Sequence, residues 1–456
     1  GPLMPNQLQA LLPSFGAGVL DPSLHVRVDL EKFAVGLAEC NNFIILAHGG
    51  AMNRAGFECI TEADESDKAV RVIRFAFNTE QQYAVVLGDY TATFIRNGED
   101  VVEADKTITA VDLASVNPVL RIPAHGYALG DKVYIRNIAN CPGGAYEAKA
   151  VSTDTVELWG YDGEDIPSGV NWVLASGAVA NRVYTLVTPF AATDLMNVKF
   201  TQSADVMELT HKGYAPQTMT RTDHAAWTIT PTTFGASVAA PTGVSATPTG
   251  AGAVPNSYRV TAVGADLQES VGSSVVTCNN AAALGPSNFN TIAWSAVTGA
   301  SYYYVYKLRG GVYAFLGTAT ALSLVDDGTV IPDMTDTPPL ATTVFSGAGN
   351  YPSCVTYMQQ RLTYARSDND PQKVQASRTG DVYNHNKSVP LQDDDALSFT
   401  IAAQQANEIK HLVPFDQLLI FTSGGEWLIR GANTEAFAAP IAAKPQSTFG
   451  CSEVAP

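Results

Sequence analysis

The chain has 456 residues, with 44 Asp and Glu against 27 Lys and Arg, a net charge of −17, and only 16% charged residues. That length exceeds one ordinary hydrophobic core and predicts about two to four domains. The acidity argues against wrapping around nucleic-acid phosphates, where affinity comes from Lys and Arg, but it does not exclude a passage whose walls repel DNA; solubility is the preferred account of it.

Abundant Gly, Pro, Thr, Val and Tyr with no long helical periodicity predict an all-β, multidomain protein. Cys40, Cys59, Cys141, Cys278, Cys354 and Cys451 form no CxxC pair, which argues against a disulfide framework or zinc site and for a reduced, cytosolic assembly. No apolar run approaches the roughly 20 residues of a membrane span, and no secretory signal is visible. Gly1-Pro2-Leu3-Met4 reads as a protease-cleavage scar ahead of a native Met4.

In chain order, residues 4–115 together with 181–236 predict a discontinuous N-terminal β platform. Leu30–Glu39 fits a short helix or an irregular strand. Ile73, Phe75 and Phe77 alternate with polar or small residues, and a polar gap leads to Tyr83–Leu87, which predicts two adjacent strands. Asn97-Gly98 between apolar runs predicts a hairpin. Residues 116–180 predict an inserted small β-barrel-like module, linked by Gly and Pro turns. Residues 237–346, with about seven short strands and one core-type Trp294, predict a fibronectin type III or immunoglobulin-like sandwich. Residues 347–456 contain seven strand-sized runs, Cys354–Met358 through Glu426–Arg430, that suit part of a β-propeller, possible closure being absent at Pro456.

Several constellations have the residue types of a site. Asp393-Asp394-Asp395 could hold calcium, but no glycine or distal Glu follows at loop spacing, so a solvated acidic turn is preferred. Asp326-Asp327-Gly328 reads as a turn, and Glu58, Glu62, Asp64, Glu65 and Asp67 read as a solvated acidic loop. His211, Asp223 and His224 invite a triad, yet no nucleophile elbow accompanies them. The aromatics of 302–315 fit either a sugar platform or strand residues packed edge to face, the second being preferred. A glycosidase needs only two carboxylates brought together by the fold, so hydrolysis remains the enzymatic alternative. No catalytic, cofactor or metal residue is assigned, and the chain is read as a non-enzyme.

A series of phrases carries a family resemblance. Arg27-Val28-Asp29-Leu30, Arg54-Ala55-Gly56, Arg74-Phe75-Ala76-Phe77, Thr188-Pro189-Phe190, Gln202-Ser203-Ala204-Asp205-Val206-Met207, Gln359-Gln360-Arg361-Leu362 and Ser377-Arg378-Thr379-Gly380 resemble, in order, the tail nozzle (tail tubular protein B) family of short-tailed bacteriophages and prophages. His125-Gly126-Tyr127 with Gly130-Asp131-Lys132-Val133 is similar to small β modules of phage proteins and of ubiquitin-activating enzymes, with no ubiquitin chemistry implied. The resemblance implies a virion structural protein located in the tail and assembled in the host cytoplasm. It implies a homo-oligomeric ring, a hexamer in the family, with an isolated chain that is compatible with a monomer. It further implies a tail adaptor above, tail fibres or a needle outside, and genomic DNA passing without specific binding. The alternative is a tail protein that binds or hydrolyses host-surface polysaccharide.

Overall fold

A computed structural model describes residues 12–456 apart from 58, 79, 143, 161–163, 167–169, 282, 402–406 and 433–435. The expected cleavage scar and Glu58 lie outside the described residues. The protein is all-β and multidomain: the described residues form strands and three short 3-10 helices. None of their helices is long and apolar enough to cross a membrane. The chain divides into two compact units, Gly1–Glu62 and Ala63–Pro456.

The first unit holds very little regular structure. Gly18–Val19 pairs in parallel with Gly36–Leu37, and Phe43–Ile45 pairs with Ala51–Asn53. The ambiguous Leu30–Glu39 stretch contains both alternatives, a 3-10 helix Glu31–Val35 followed directly by the strand Gly36–Leu37.

The second unit opens with a two-layer platform. Thr185–Val187, Thr91–Arg96, Gln82–Leu87 and Arg71–Ala76 lie side by side, and Glu99–Asp100 pairs back on Thr91–Arg96. The alternation read from Ile73 to Leu87 is realised as an antiparallel pair, with Phe75 opposite Tyr83 and Ile73 opposite Val85. The hairpin at Asn97-Gly98 forms because both residues take the left-handed conformation, with φ of 54° and 82°, that a two-residue turn between right-twisted strands requires. A second sheet runs Lys199–Ser203, Val206–His211, Tyr214–Asp223, Ala226–Pro231 as a meander. One core joins the layers: Phe75, Tyr83, Phe94 and Leu87 from the first, Met207, Leu209, Met219 and Trp227 from the second.

Between these layers in the chain lies a seven-stranded antiparallel sheet with its own core, including Leu120, Ile122, Val133, Leu158 and Trp172. A single sheet that fills its own interior must curl, and this one does. It starts earlier than the 116–180 boundary, because Lys106–Thr107 pairs with Val173–Arg182 and Ala110–Asp112 pairs with Val119–Arg121. Those two strands are too short and polar to stand out in the sequence.

The next module is a seven-stranded sandwich. Three strands (Ser245–Pro248, Asn290–Ala293, Ser323–Asp326) face four (Val276–Asn280, Val254–Gly264, Ala300–Arg309, Val312–Ala319) across Trp294, Ile292, Val260 and Val305. The C-terminal part holds two four-stranded antiparallel sheets. Cys354–Met358, Arg361–Ala365, Lys373–Ala376 and Leu397–Thr400 form one; Ile409–Pro414, Leu418–Thr422, Gly425–Gly431 and Ile441–Ser447 form the other. Val374, Leu397, Ile409 and Ile420 belong to one core that spans both. The last strand was not legible in advance, since Ile441–Ser447 carries Pro445 and few β-branched residues; it sits at the sheet edge, where a missing N–H is tolerated.

Trp227 is the keystone of the platform. Its ring stacks on Phe94 at 4.2 Å and meets Phe75 edge-on at 4.7 Å and Tyr83 at 5.2 Å, while its Nε1 donates to the His224 carbonyl at 2.9 Å. Trp227→Ala is expected to cost about 3–5 kcal/mol, the range for deleting a large aromatic from a packed core. A shift of the urea midpoint with an unchanged slope checks this.

Candidate functional site

The histidines that suggested a triad are kept apart by the strand between them. His211 ends Val206–His211, accepts from the Gly213 N–H at 3.1 Å and packs on Tyr214, and burial lowers its pKa. His224 lies beyond the far end of the ten-residue strand Tyr214–Asp223, roughly 30 Å away at about 3.4 Å per residue. Its Nε2 faces Arg96 Nη1 at 3.2 Å and its Nδ1 faces the Tyr83 hydroxyl at 2.5 Å. Because a guanidinium only donates, Nε2 is the acceptor and the proton sits on Nδ1. Asp223 accepts from the His224 backbone N–H at 2.7 Å. That bond closes a turn and leaves the imidazole to Tyr83 and Arg96.

Only part of the Asp393-Asp394-Asp395 run is the solvated turn expected from sequence: Asp393 is exposed, but Asp395 is not. Asp395 is 2% exposed and accepts from Ser388 N–H at 2.9 Å, Gln392 N–H at 2.8 Å and Ser388 Oγ at 2.9 Å. Arg378 pairs with Asp395 at 3.0 Å and with Asp394 at 2.9 Å. Arg361, 2% exposed, donates to the carbonyls of Ser377 at 2.8 Å, Asp395 at 2.6 Å and Asp393 at 2.7 Å. Two arginines remote in sequence therefore occupy the Asp394 and Asp395 carboxylates and the carbonyls of Asp393 and Asp395. Among the described residues no group of three or more His, Cys, Asp or Glu could hold a metal ion.

Asp326 does close a turn, accepting from Gly328 N–H at 3.2 Å, but its carboxylate also reaches into the sandwich, where Tyr258 and Lys307 each donate at 2.6 Å. In the acidic loop, Asp64 pairs with Lys132 at 2.9 Å and Glu65 pairs with Lys68. The loop is thus tied down at these two positions rather than wholly solvated. The aromatics of 302–315 pack edge to face, Tyr304 on Phe315 at 5.3 Å and Tyr306 on Phe315 at 5.8 Å. Segment 331–336 crosses them, with the Phe315 N–H donating to the carbonyls of Asp333 and Asp336 at 3.0 Å each.

Two acids are held away from water, Glu208 fully buried and Glu269 half-buried. Glu208, on the platform meander, accepts from Tyr383 at 2.7 Å and Thr218 at 3.1 Å, and burial raises its pKa. Glu269 leaves the loop after Val254–Gly264 and accepts from Thr261 at 2.6 Å and Tyr306 at 2.7 Å. Burial pushes its pKa up to about 7; the two hydroxyls and Arg378 oppose the rise, and Asp336 adds to it. One polar concavity, of about 230 Å³, is lined by Phe345, Tyr364, Arg366, Asp370, Lys373 and Gln375. Arg366 sits there at a φ of 58° and is neutralised by Glu408 at 2.8 Å and Glu453 at 3.4 Å.

No protein-family model matches the chain, and no curated protein matches it.

The protonated Glu269 is held more tightly in the folded state than in the unfolded chain. Its contribution is complete below the ordinary value of 4.5 and is lost as pH rises through about 7. Glu269→Gln is therefore expected to raise stability at pH 8 by about 2 kcal/mol relative to the parent. Near pH 4 the two should nearly coincide. Urea midpoints at both pH values check the sign.

Proposed function

We propose that the chain is a virion structural protein, a subunit of the tail nozzle ring of a short-tailed bacteriophage. The ring continues the channel through which genomic DNA leaves, with a tail adaptor above and fibres or a needle attached outside. The reading places the protein in the virion tail, assigns it no catalytic role, and takes the seven-stranded sandwich as fibronectin type III-like and the two C-terminal sheets as propeller blades.

One observation supports this reading most. Residues in three of the family-like phrases occupy building positions. Gln202 grips the backbone of Ala76 on the facing sheet, accepting at 3.0 Å and donating at 3.1 Å. Gln359 and Gln360 form the left-handed turn before Arg361, with φ of 46° and 61°. Arg361 and Arg378 hold the acidic turn together at its buried Asp395. Side chains that in an enzyme would be aimed at a substrate are here spent on joining strands, as a load-carrying ring subunit requires. The charge fits the same reading, since a negative wall repels phosphates and keeps a moving duplex from sticking.

In a filter-binding assay at low salt, the protein is expected to show no submicromolar affinity for duplex DNA; tight binding with a steep salt dependence would contradict a repelling channel. Incubation with host capsular or lipopolysaccharide sugar is expected to release no oligosaccharide. Release that disappears on substituting a single carboxylate would favour the alternative of a polysaccharide-hydrolysing tail protein.

A further inference from the structure

Three cations of this acidic chain converge from three different sheets. Lys199 begins the strand Lys199–Ser203, Arg366 directly follows Arg361–Ala365, and Lys410 lies in Ile409–Pro414. Their side chains are only 19%, 13% and 12% exposed. Lys199 Nζ donates to the Lys410 carbonyl, which ties two of the three together. Cations so far from water need anions, because a desolvated and unpaired ammonium or guanidinium is costly. Glu408 supplies one, pairing with Lys410 and with Arg366 at 2.8 Å. Glu453 supplies the other, pairing with Lys410, with Arg366 at 3.4 Å and with Lys199 at 3.8 Å. Among the described residues, three cations thus share two carboxylates. Burial raises the Glu453 pKa, but the Lys410 bond and the Arg366 and Lys199 charges outweigh it and hold the carboxyl below its ordinary value.

Glu453 does not arrive as a bare carboxylate. The Cys451 N–H donates to the Thr422 carbonyl at 3.0 Å, and the Ser452 carbonyl faces His411 Nε2 at 3.1 Å. A carbonyl only accepts, so that ring nitrogen carries the proton. Three consecutive residues are therefore held by a backbone carbonyl, an imidazole and the basic trio. The side chains on either side stand in water, Phe449 at 93% and Val454 at 78% exposed. Glu453 itself keeps 47% of its side chain exposed. Arg366 and Glu408 also line an open concavity of about 600 Å³, with Asp368, Gln372, Asn407 and Ser423.

We propose that Lys199, Arg366, Lys410 and His411 form a receptor for an acidic peptide of a partner, and that residues 451–453 occupy it as a displaceable clasp. The cations set the sign of the ligand. The two backbone bonds beside them select a chain over a free ion. Exposure separates clasp from receptor: the cations are mostly buried and fixed by their sheets, whereas the clasp's carboxylate is half in water. Ion pairs to so exposed a carboxylate are weak. The clasp stays because tethering presents it at an effective concentration on the order of millimolar. A partner that carries a similar acidic segment, and contacts the open concavity as well, replaces it. The receptor stands apart from the nozzle reading, and its failure leaves that reading untouched.

Fluorescence anisotropy under reducing conditions tests this with the full chain and a labelled peptide of residues 448–454. Glu453→Lys repels the clasp from the three cations and opens the receptor, and circular dichroism checks that the variant folds. A chain ending at Gly450 opens the same receptor by a second route. Both are expected to bind the peptide about tenfold more tightly than the parent, whose clasp competes in cis. Adding Lys410→Gln to Glu453→Lys, or replacing the peptide's glutamate by glutamine, is expected to weaken binding about tenfold, the loss of one charged hydrogen bond. Binding that is equal in the parent and the two opened chains, or equal for the two peptides, overturns the proposal. So does displacement of the peptide by an equimolar amount of inorganic phosphate, because the backbone bonds would then contribute nothing.

Discussion

Short antiparallel sheets cannot stand alone, and this fold depends on how their edges and ends are tied to one another. The decisive tie is the pair of buried guanidinium groups at Arg361 and Arg378. Arg361 takes three backbone carbonyls from two segments, and Arg378 neutralises the carboxylates of Asp394 and Asp395. A buried arginine without such partners is costly, and so are buried carbonyls without donors. The two liabilities cancel only when the turn at 393–395 is folded against the strand Arg361–Ala365. Glu208 with Tyr383 repeats the device between the platform meander and the C-terminal sheets. Phe234, Phe345, Tyr364 and His385 surround that joint with edge-to-face contacts at 5.1–5.7 Å, and burial lowers the His385 pKa to about 4, so the ring is neutral there.

This pattern bears on function because it accounts for where the chemistry-bearing side chains went. The acids that looked like ligands are held by arginines, the paired histidines are held by a tyrosine, a backbone amide and an arginine, and the tyrosines form a covered sheet face. A subunit that transmits force between neighbours benefits from joints of this kind. Directional bonds resist sliding in a way that apolar packing alone does not.

Much of the architecture was legible in the sequence. Period-2 runs such as Ile73–Phe77 and Tyr258–Val263, and turn signals such as Asn97-Gly98, report local geometry, and local geometry is what a sequence encodes most directly. The C-terminal strands were legible for the same reason, Cys354–Met358 and Arg361–Ala365 matching to the residue. What failed depended on distance. The Asp393–Asp395 run reads as solvated until Arg361 and Arg378, 34 and 16 residues from their partners, are brought over it. The strands Lys106–Thr107 and Ala110–Asp112 exist because of what they pair with, since neither carries a pattern of its own. The exposure of Val26, Phe43 and Phe57 was likewise hidden, because apolar residues of this kind resemble core residues in a sequence.

Electron cryomicroscopy of the chain assembled with the tail adaptor tests the central claim most directly. The account predicts a closed ring that continues the adaptor's channel, with Asp and Glu outnumbering Lys and Arg on the lumen wall. A chain bound singly on the outside of the tail, or a lumen lined by Lys and Arg, would contradict it.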